Sequence, residues 1–457
     1  MRPEVAPKFE AAQVINARMF CIEKSTLQIC LTSLILLGIS GCGDKLSPPK
    51  LTGSPSGNAG DFSRVVFMGD SLTAGFQNGS LLDTQQPHGY ASLIAQQAKF
   101  SINLPLISPP GAPAVLQLVS LGPPPVIQSA SGVSKGRDDV KLQSTDIAVP
   151  GHKLNDLLTT APSLIPAIDQ EIITYLVLGF PGIQEGVQYT QLQWAHQLNP
   201  TTLFVWIGNN DALAADLNGN PASMTSIADF TAQFTLLMQK LKTDTRANLI
   251  VANIPDVTAV PYLTPGALVL AEFSQMTGIP AAQLSLLTGI QPTDLVTPAG
   301  LSEIAAILQG KQTTAVDDAG ALTAAEAATV TQTVQAYNAV IAQQVAANGG
   351  TLVDIYSADN ELRLHPQVVN GYPVNFGFLG GLFSLDGIHP TNTGYAITAN
   401  VFIQAMNTAL GTTIPAVDVG AIAATDPLFP PNLAHAAATP AHISAKAGKA
   451  AQWMSHP

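Results

Sequence analysis

Cysteine and charged residues are both scarce in this sequence. Its three cysteines, Cys21, Cys30 and Cys42, all lie within the first 42 of 457 residues. The rest of the chain therefore has no disulfide and no thiolate metal site. Only 11% of the residues are charged, the net charge is −12, and lysine and arginine form no cluster. Because phosphate contacts need clustered basic residues, the sequence argues against nucleic acid as a partner.

Histidine spacings typical of metalloenzymes are missing as well. The motif H-E-x-x-H does not occur, and the histidines outside the motifs described below show no metal-ligand spacing: His88, His196, His365, His435, His442 and His456. A metallohydrolase is therefore disfavoured, and we expect neither a metal nor another cofactor. The composition, 46% hydrophobic with 37 glycines and 34 prolines, is typical of a globular, loop-rich extracytoplasmic protein.

The N-terminal region predicts a lipoprotein signal. Residues 29–39 form an apolar run about as long as a signal-peptide core and too short to span a bilayer comfortably. The run ends at Ile39-Ser40-Gly41-Cys42, and small residues directly before a cysteine resemble the bacterial lipobox. We therefore predict a signal peptide over residues 1–41, with Met19 as its start, and lipidation of Cys42 after cleavage. The alternative is an ordinary secretory signal with an incidental cysteine.

Residues 42–61 follow the predicted cleavage site and are rich in proline, glycine and serine. This composition predicts a lipidated N-terminus with a flexible linker. We expect the protein to lie outside the cytoplasm, anchored to a membrane through Cys42, at the outer membrane or cell surface. Gly43, in place of an aspartate after the cysteine, leaves sorting to an outer membrane open. The sequence indicates neither a partner protein nor an oligomeric state.

Short apolar runs alternate with helical or irregular stretches from residue 62 onward. Strand-like runs occur at residues 64–68, 145–149, 202–208, 247–253 and 351–355. Such alternation predicts an α/β fold, with a parallel sheet covered on both faces and functional sites at the carboxyl ends of the strands. Ser71, Gly151 and Asn210 each follow such a run directly. We therefore expect one edge of the sheet to gather these three residues.

Two long stretches interrupt this alternation. Residues 101–137 are rich in proline and predict a functional loop or a lid. Residues 257–315 form a second insertion with apolar helical segments around 268–273 and 301–308. Further on, a capping box at Thr323-Ala324-Ala325-Glu326 opens a predicted helix to about 347, and a closing helix is predicted over residues 393–410.

Ser71 is the candidate nucleophile. The buried run before it ends abruptly at Gly69-Asp70-Ser71, which presents the hydroxyl at the rim of the sheet. A serine needs a base, and Asp386 and His389, three residues apart, can supply an oriented imidazole. His389 would be the general base and then the general acid. The alternative is an aspartate that caps the following helix beside an incidental histidine.

Gly151 and Asn210 are candidate oxyanion donors, together with the backbone N–H of Ser71. Glycine permits a close approach of substrate because it has no Cβ. The alternatives are a plain turn for Gly151 and a turn former for Asn210. We interpret Asp70 and Asp211 as structural, and His152 as a solvated residue rather than a pocket residue.

Four short blocks in this order resemble the SGNH/GDSL hydrolase family of esterases and lipases. Gly69-Asp70-Ser71-Leu72 is similar to its nucleophile block, Gly151 to its glycine block, Gly208-x-Asn210-Asp211 to its asparagine block and Asp386-x-x-His389 to its terminal block. The resemblance spans roughly residues 62–410. It implies a three-layer, flavodoxin-like hydrolase domain over residues 62–415, followed by a loosely ordered Ala- and Pro-rich tail over 416–457.

The resemblance further implies a serine esterase or lipase that hydrolyses carboxylic esters through an acyl-enzyme. We expect the apolar insertions at residues 101–137 and 257–315 to shape an acyl pocket, which favours lipidic esters. Because the family also contains acyltransferases, thioesterases and carbohydrate O-deacetylases, these stay open as alternatives. An alternative of another class is a surface-binding lipoprotein that retains the fold without the chemistry.

A second serine motif, Gly132-Val133-Ser134-Lys135-Gly136, matches the G-x-S-x-G elbow of other hydrolases. That elbow requires a strand before the serine and a helix after it. Because a proline-rich loop precedes Ser134 and charged residues follow it, we interpret the match as chance.

Overall fold

The structure is a computed structural model that describes residues 60–122 and 125–433. The predicted signal peptide, the lipobox with Cys42 and most of the predicted linker lie outside these residues, as does the chain from 434 onward.

A parallel sheet of four strands forms the centre of the fold. Its strands lie in the order β1 (Val65–Gly69), β4 (Thr202–Trp206), β5 (Asn248–Ala252), β9 (Thr351–Val353), numbered along the chain. Every residue of β1 and β4 is buried, so both read as continuous apolar runs. The prediction at 64–68 is confirmed with a shift of one residue, and those at 202–208, 247–253 and 351–355 are confirmed with shorter bounds. The strands in chain order are β1 (Val65–Gly69), β2 (Leu116–Ser120), β3 (Val126–Ser129), β4 (Thr202–Trp206), β5 (Asn248–Ala252), β6 (Thr264–Pro265), β7 (Leu295–Val296), β8 (Ala321–Leu322), β9 (Thr351–Val353), β10 (Val368–Val369) and β11 (Tyr372–Pro373).

The stretch at 145–149 is not a strand, although it lies where it was predicted. It runs parallel to β1, where Ile147 N donates to Phe67 O over 2.9 Å and Val149 N donates to Gly69 O over 3.1 Å. The Asp146 side chain accepts from Ala148 N, and Pro150 has no N–H to continue a ladder. The backbone therefore curves away after a single bridge.

Helices cover both faces of the sheet, as the α/β prediction requires. Val66 and Met68 of β1 enter one apolar core, whereas Val65 and Phe67 enter the other. This alternation confirms the three-layer α/β architecture. In the described part of the chain, no helix is long and apolar enough to cross a membrane. The helices in chain order are α1 (Tyr90–Ala98), α2 (Leu154–Thr159), α3 (Asp169–Leu178), α4 (Gln191–Leu198), α5 (Asn209–Asn218), α6 (Ile227–Asp244), α7 (Gly266–Thr277), α8 (Ala281–Thr288), α9 (Pro298–Leu308), α10 (Ala324–Ala347), α11 (Ile355–Leu364), α12 (Asn392–Leu410) and α13 (Val419–Thr425).

Both insertions carry secondary structure. The stretch at 101–137 contains the antiparallel hairpin of β2 and β3, which its proline content did not suggest. In the stretch at 257–315, the predicted helical segments are confirmed as parts of α7 and α9. With α8 and the small sheet of β6, β7 and β8, these helices enclose an apolar cluster of their own.

The two long helices near the end of the domain were predicted correctly. The capping box of Thr323 and Glu326 opens α10, and the N-cap Thr391 opens α12. The boundary at residue 415 is wrong, because α13 and a short 3₁₀ turn follow it. Ala423 and Phe429 of this segment are buried in the second core, so the domain continues to residue 433 at least.

Candidate active site

The structure brings Ser71, His389 and Asp386 together at the carboxyl edge of the central sheet. Ser71 lies in a tight turn two residues after β1, and its side chain is buried except for a small exposed part. His389 Nε2 lies 2.8 Å from Ser71 Oγ, and His389 Nδ1 lies 3.0 Å from Asp386 Oδ2. The three side chains thus form one continuous hydrogen-bonded chain.

Asp386 is held as a carboxylate. Its Oδ1 accepts the N–H groups of Ile388 and His389, each over 2.9 Å, and its Oδ2 accepts Gly79 N over 2.7 Å. Burial raises the pKa of Asp386, but the attraction of His389 and the hydrogen bonds from His389 and Ile388 outweigh burial and hold the pKa below its ordinary value. An ionised carboxylate only accepts hydrogen bonds, so His389 carries its proton on Nδ1. Nε2 is then free to accept from the Ser71 hydroxyl.

A two-residue turn positions the loop that carries Asp386 and His389. Asn78 and Gly79 both have positive φ, 51° and 68°, and form a tight turn between Gln77 and Ser80. Asn78 N donates to Ser384 Oγ over 2.9 Å, and Asn78 Oδ1 accepts Leu385 N over 3.0 Å. The sequence analysis missed these residues, although the Asn-Gly dipeptide is a strong turn signal.

The three candidate oxyanion donors follow neighbouring elements at the same edge of the sheet. Asn210 is the second residue of α5, which starts just after β4, and its Nδ2 donates to His152 O over 2.9 Å. One N–H of this amide is therefore available to another acceptor. In the described part of the chain, no hydrogen bond uses the backbone N–H of Ser71 or of Gly151. The arrangement can therefore receive a developing negative charge.

Position 151 requires a glycine, because of its backbone conformation and because of a neighbouring side chain. Its φ is +82°, and a Cβ at this position would lie 2.2 Å from Gln170 Oε1. The Gln170 amide is fixed there, because its Nε2 donates to Pro150 O over 2.8 Å. Gln170 therefore packs directly against the turn that presents the Gly151 N–H.

His152 is buried rather than solvated, so that interpretation was wrong. Its Nδ1 accepts from Gln191 Nε2 over 3.1 Å, and its Nε2 donates to Thr174 Oγ1 over 3.1 Å. Burial lowers the pKa of His152 to about 4, so the ring is neutral. Gln191 also bonds both Gly69 N and Gly69 O, each over 2.9 Å. This amide ties the end of β1 to the turn of Gly151, and no local pattern marks it in the sequence.

The other two acidic residues of the motifs hold loops. Asp70 accepts from Leu72 N and Asn209 Nδ2, and burial raises its pKa to about 7. Asp211 accepts Leu154 N over 2.8 Å. These contacts agree with the structural interpretation of both residues.

Ser134 lacks the surroundings of a nucleophile. Its Oγ donates to Ser108 O over 2.7 Å, and no helix follows it. The chance interpretation of its motif therefore holds. Among the described residues, no group of three or more His, Cys, Asp or Glu side chains is placed to hold a metal ion.

Comparison with known protein families identifies the family of this chain. The model of the GDSL-like lipase/acylhydrolase family matches residues 65–402. The chain belongs to this family. The matched range includes Ser71, Gly151, Asn210, Asp386 and His389, and membership makes the protein a carboxylic ester hydrolase.

Several solved structures are similar to this GDSL hydrolase at low identity. An α/β hydrolase from the metagenome of Lake Arreo, Spain, is 14% identical with a TM-score of 0.34, covering 79% of this chain and 100% of that chain. A catalytic mutant of an acetylxylan esterase from Geobacillus stearothermophilus is 12% identical with a TM-score of 0.36, covering 78% and 97%. Phospholipase A1 from Streptomyces albidoflavus is 14% identical with a TM-score of 0.33, covering 76% and 98%. No curated protein matches the sequence.

Proposed function

We propose that this GDSL hydrolase cleaves lipidic carboxylic esters through an acyl-enzyme on Ser71. The observation that carries the proposal is the pair of contacts from His389, 2.8 Å to Ser71 Oγ and 3.0 Å to Asp386 Oδ2. In this role His389 is the general base and Asp386 orients its ring.

The reaction follows from these positions. Ser71 Oγ attacks the ester carbonyl carbon while His389 Nε2 takes the hydroxyl proton. The carbonyl oxygen becomes an oxyanion and accepts hydrogen bonds from Ser71 N, Gly151 N and Asn210 Nδ2. The intermediate collapses, the bond to the alcohol oxygen breaks, and His389 protonates that oxygen as it leaves. A water molecule then attacks the acyl-enzyme with His389 again as base, which releases the acid and restores Ser71.

A cavity beside the loop of Asp386 supports a lipidic substrate. It has a volume of about 460 Å³ and lies between the hairpin of β2 and β3, residues 427–433 and the turn at Asn78. Its hydrophobic lining consists of aliphatic side chains and one proline: Leu116, Leu118, Val119, Leu121, Leu385, Pro427, Leu428 and Leu433. The insertion at 101–137 therefore supplies apolar surface next to Leu385, the residue before Asp386.

We also propose that Cys42 is lipidated and that the protein acts outside the cytoplasm, anchored to a membrane. The support is the sequence Ile39-Ser40-Gly41-Cys42 after an apolar run. Mass spectrometry of the mature N-terminus tests this proposal. A diacylglyceryl cysteine at position 42 is expected, and an unmodified N-terminus elsewhere would contradict it.

The activity is tested with p-nitrophenyl esters from acetate to palmitate, beside Ser71→Ala, His389→Ala and Ser134→Ala. We expect turnover to rise with chain length, to vanish nearly completely in the first two variants and to persist in the third. Activity confined to acetate would favour a deacetylase or small esterase. Absence of activity above Ser71→Ala on every ester would favour an acyltransferase or a binding protein.

A further inference from the structure

An exposed apolar loop lies between α2 and α3. Residues 157–168 contain no charged side chain. Ile165 is 85% exposed, Leu164 61% and Ile168 53%. Ile172, whose N–H donates to Ile168 O over 3.0 Å, extends this surface by one helical turn. We call residues 160–168 together with Ile172 the aliphatic loop.

The aliphatic loop ends close to one candidate oxyanion donor, Gly151. It is preceded by the turn of Gly151, and Gln170, two residues after Ile168, packs against that same turn. Two residues span at most about 7 Å between Cα atoms, so Ile168 lies close to Gln170 and to the turn of Gly151 that Gln170 contacts. The loop is ordered, since Gln188 Nε2 donates to Pro162 O over 2.6 Å and Glu171 Oε2 accepts Ala167 N over 2.6 Å. Its aliphatic side chains are therefore held outward.

We propose that the aliphatic loop inserts into a lipid surface and sets the opening of the active site against it. The proposal rests on the proposed function, in that the substrate is lipidic. Exposed aliphatic side chains beside an ester hydrolase site suit a hydrocarbon boundary. The net charge of −12 argues against an anionic surface, so the loop fits zwitterionic lipid such as phosphatidylcholine.

A lipid surface fits better than a second copy of the chain. Four aliphatic side chains expose on the order of a few hundred Å², whereas a stable protein interface buries about 1,200 Å² or more. Shallow insertion into lipid needs only a few such side chains.

The predicted anchor permits this orientation. Asp61 O accepts the hydroxyls of Thr201 and Thr202 at the start of β4, so the described chain begins at the edge of the sheet opposite the site. Residues 43–59 separate Cys42 from this part and can reach at most about 55 Å. A five-residue strand is about 17 Å long, so this reach exceeds the distance between the two edges of the sheet.

Site-specific fluorescence tests the proposal. The full chain with Cys21, Cys30 and Cys42 replaced by serine, and with Ser71→Ala to prevent turnover, receives a nitrobenzoxadiazole label on Ile165→Cys. We expect the emission to move to shorter wavelength and to rise when phosphatidylcholine vesicles are added. Leu286→Cys is the matched control, because Leu286 is an 88% exposed leucine in the other insertion. Its label should not respond.

Unchanged emission at residue 165, or an equal response at residue 286, would overturn the proposal. A change in the emission at residue 165 when unlabelled protein is added without lipid would also overturn the proposal, and it would favour a protein interface. Because the labelled protein is inactive, the result does not depend on whether esters are hydrolysed. Insertion without any esterase activity in the Ser71 enzyme would refute the proposed function and leave this inference standing.

A second measurement uses activity on two physical states of substrate. Ile165→Asp should lower turnover of an ester presented in phosphatidylcholine vesicles by about tenfold or more, since an immersed isoleucine is replaced by a charge. Its kcat/KM on dissolved p-nitrophenyl acetate should stay within about twofold, because the Ile165 side chain is 85% exposed and is not one of the proposed catalytic or oxyanion residues. Leu286→Asp should change neither the turnover of the ester in vesicles nor kcat/KM on p-nitrophenyl acetate. Equal losses on both substrates would overturn the proposal.

Discussion

Asn210 is the candidate oxyanion donor that can be removed as a side chain, and its removal should act mainly on the transition state. Its amide contributes one donor to the proposed oxyanion site and does not transfer a proton. We expect Asn210→Ala to lower kcat by about 100- to 1000-fold with little change in KM, the range for loss of one oxyanion donor. Steady-state kinetics on the p-nitrophenyl ester with the highest turnover measures the change in kcat and KM.

The matched control for this variant is Asn218→Ala. Asn218 lies on the same helix, and its Nδ2 donates to Ala214 O rather than into the site. We expect its kcat to stay within about threefold of the unaltered enzyme. If both variants lose activity equally, or if Asn210→Ala is silent, Asn210 is not an oxyanion donor.

The buried carboxyl group of Asp146 should make the free energy of unfolding depend on pH. Burial raises its pKa from 3.8 to about 8, and its Oδ2 has no hydrogen-bond partner within the described chain. The folded state holds this proton up to about pH 8, whereas the unfolded chain loses it near pH 4. The free energy of unfolding therefore falls as the pH rises between these values.

Replacing Asp146 by asparagine should remove part of this fall. Relative to the unaltered protein, Asp146→Asn should gain on the order of a few kcal/mol between pH 5 and pH 8. Urea unfolding at both pH values measures the difference. The exposed Asp139→Asn serves as the control, and parallel pH profiles for all three proteins would contradict the prediction.

At the scale of elements, the Asn78-Gly79 turn is the feature that aligns the base. It bonds Ser384, Leu385 and Asp386, and thus fixes the loop from which His389 reaches Ser71. Asn78→Ala removes the acceptor for Leu385 N. We expect a loss of about tenfold in kcat, since a small misplacement of the catalytic groups slows the reaction, and about 1 kcal/mol of stability.

The chain contains a second turn that can serve as control. Asn370 and Gly371 join β10 and β11 with φ of 49° and 83°, and Asn370 Nδ2 donates to Gly420 O. Asn370→Ala should lower the melting temperature by a similar amount and leave kcat unchanged. Similar losses of kcat in both variants would mean that the effect of Asn78 is one of stability only.

The sequence predicts those strands and helices in which the local residue pattern matches the burial of the element in the fold. Continuous apolar runs predict β1 and β4 because both are buried on both faces, and the capping box at Thr323 marks the start of α10. Ser71, His389 and Asp386 could be found because each stands in a short block at a strand end or before a helix cap. The family resemblance then united blocks more than 300 residues apart.

Other features depend on contacts that no local pattern records. Gln191 is a buried amide 122 residues from the strand end that it bonds. His152 is buried because Thr174 and Gln191 complete its hydrogen bonds, although its sequence neighbours are typical of an exposed turn. The segment after residue 415 has a composition typical of a tail, yet it packs because the second core is incomplete without it.

At the scale of the whole molecule, the C-terminal segment of the domain packs beside the loop that carries His389. Asp426 Oδ2 accepts both Thr393 N over 2.8 Å and Thr393 Oγ1 over 2.7 Å, in the first turn of α12. Thr393 is four residues after His389. Residues 427–433 also line the cavity beside the catalytic loop. The C-terminal segment therefore supports the position of the general base as well as the core.

Phe429 provides the test of this role. It is 2% exposed and packs edge-on against Tyr372 with ring centroids 5.9 Å apart. Phe429→Ala should lower the free energy of unfolding by about 3 kcal/mol, the usual cost of removing a buried aromatic ring. Leu364→Ala, at a 71% exposed position, should stay within about 0.5 kcal/mol. Equal stability of the two variants in urea unfolding would mean that residues 416–433 form the dispensable tail that their composition suggests, with no part in holding α12 and His389.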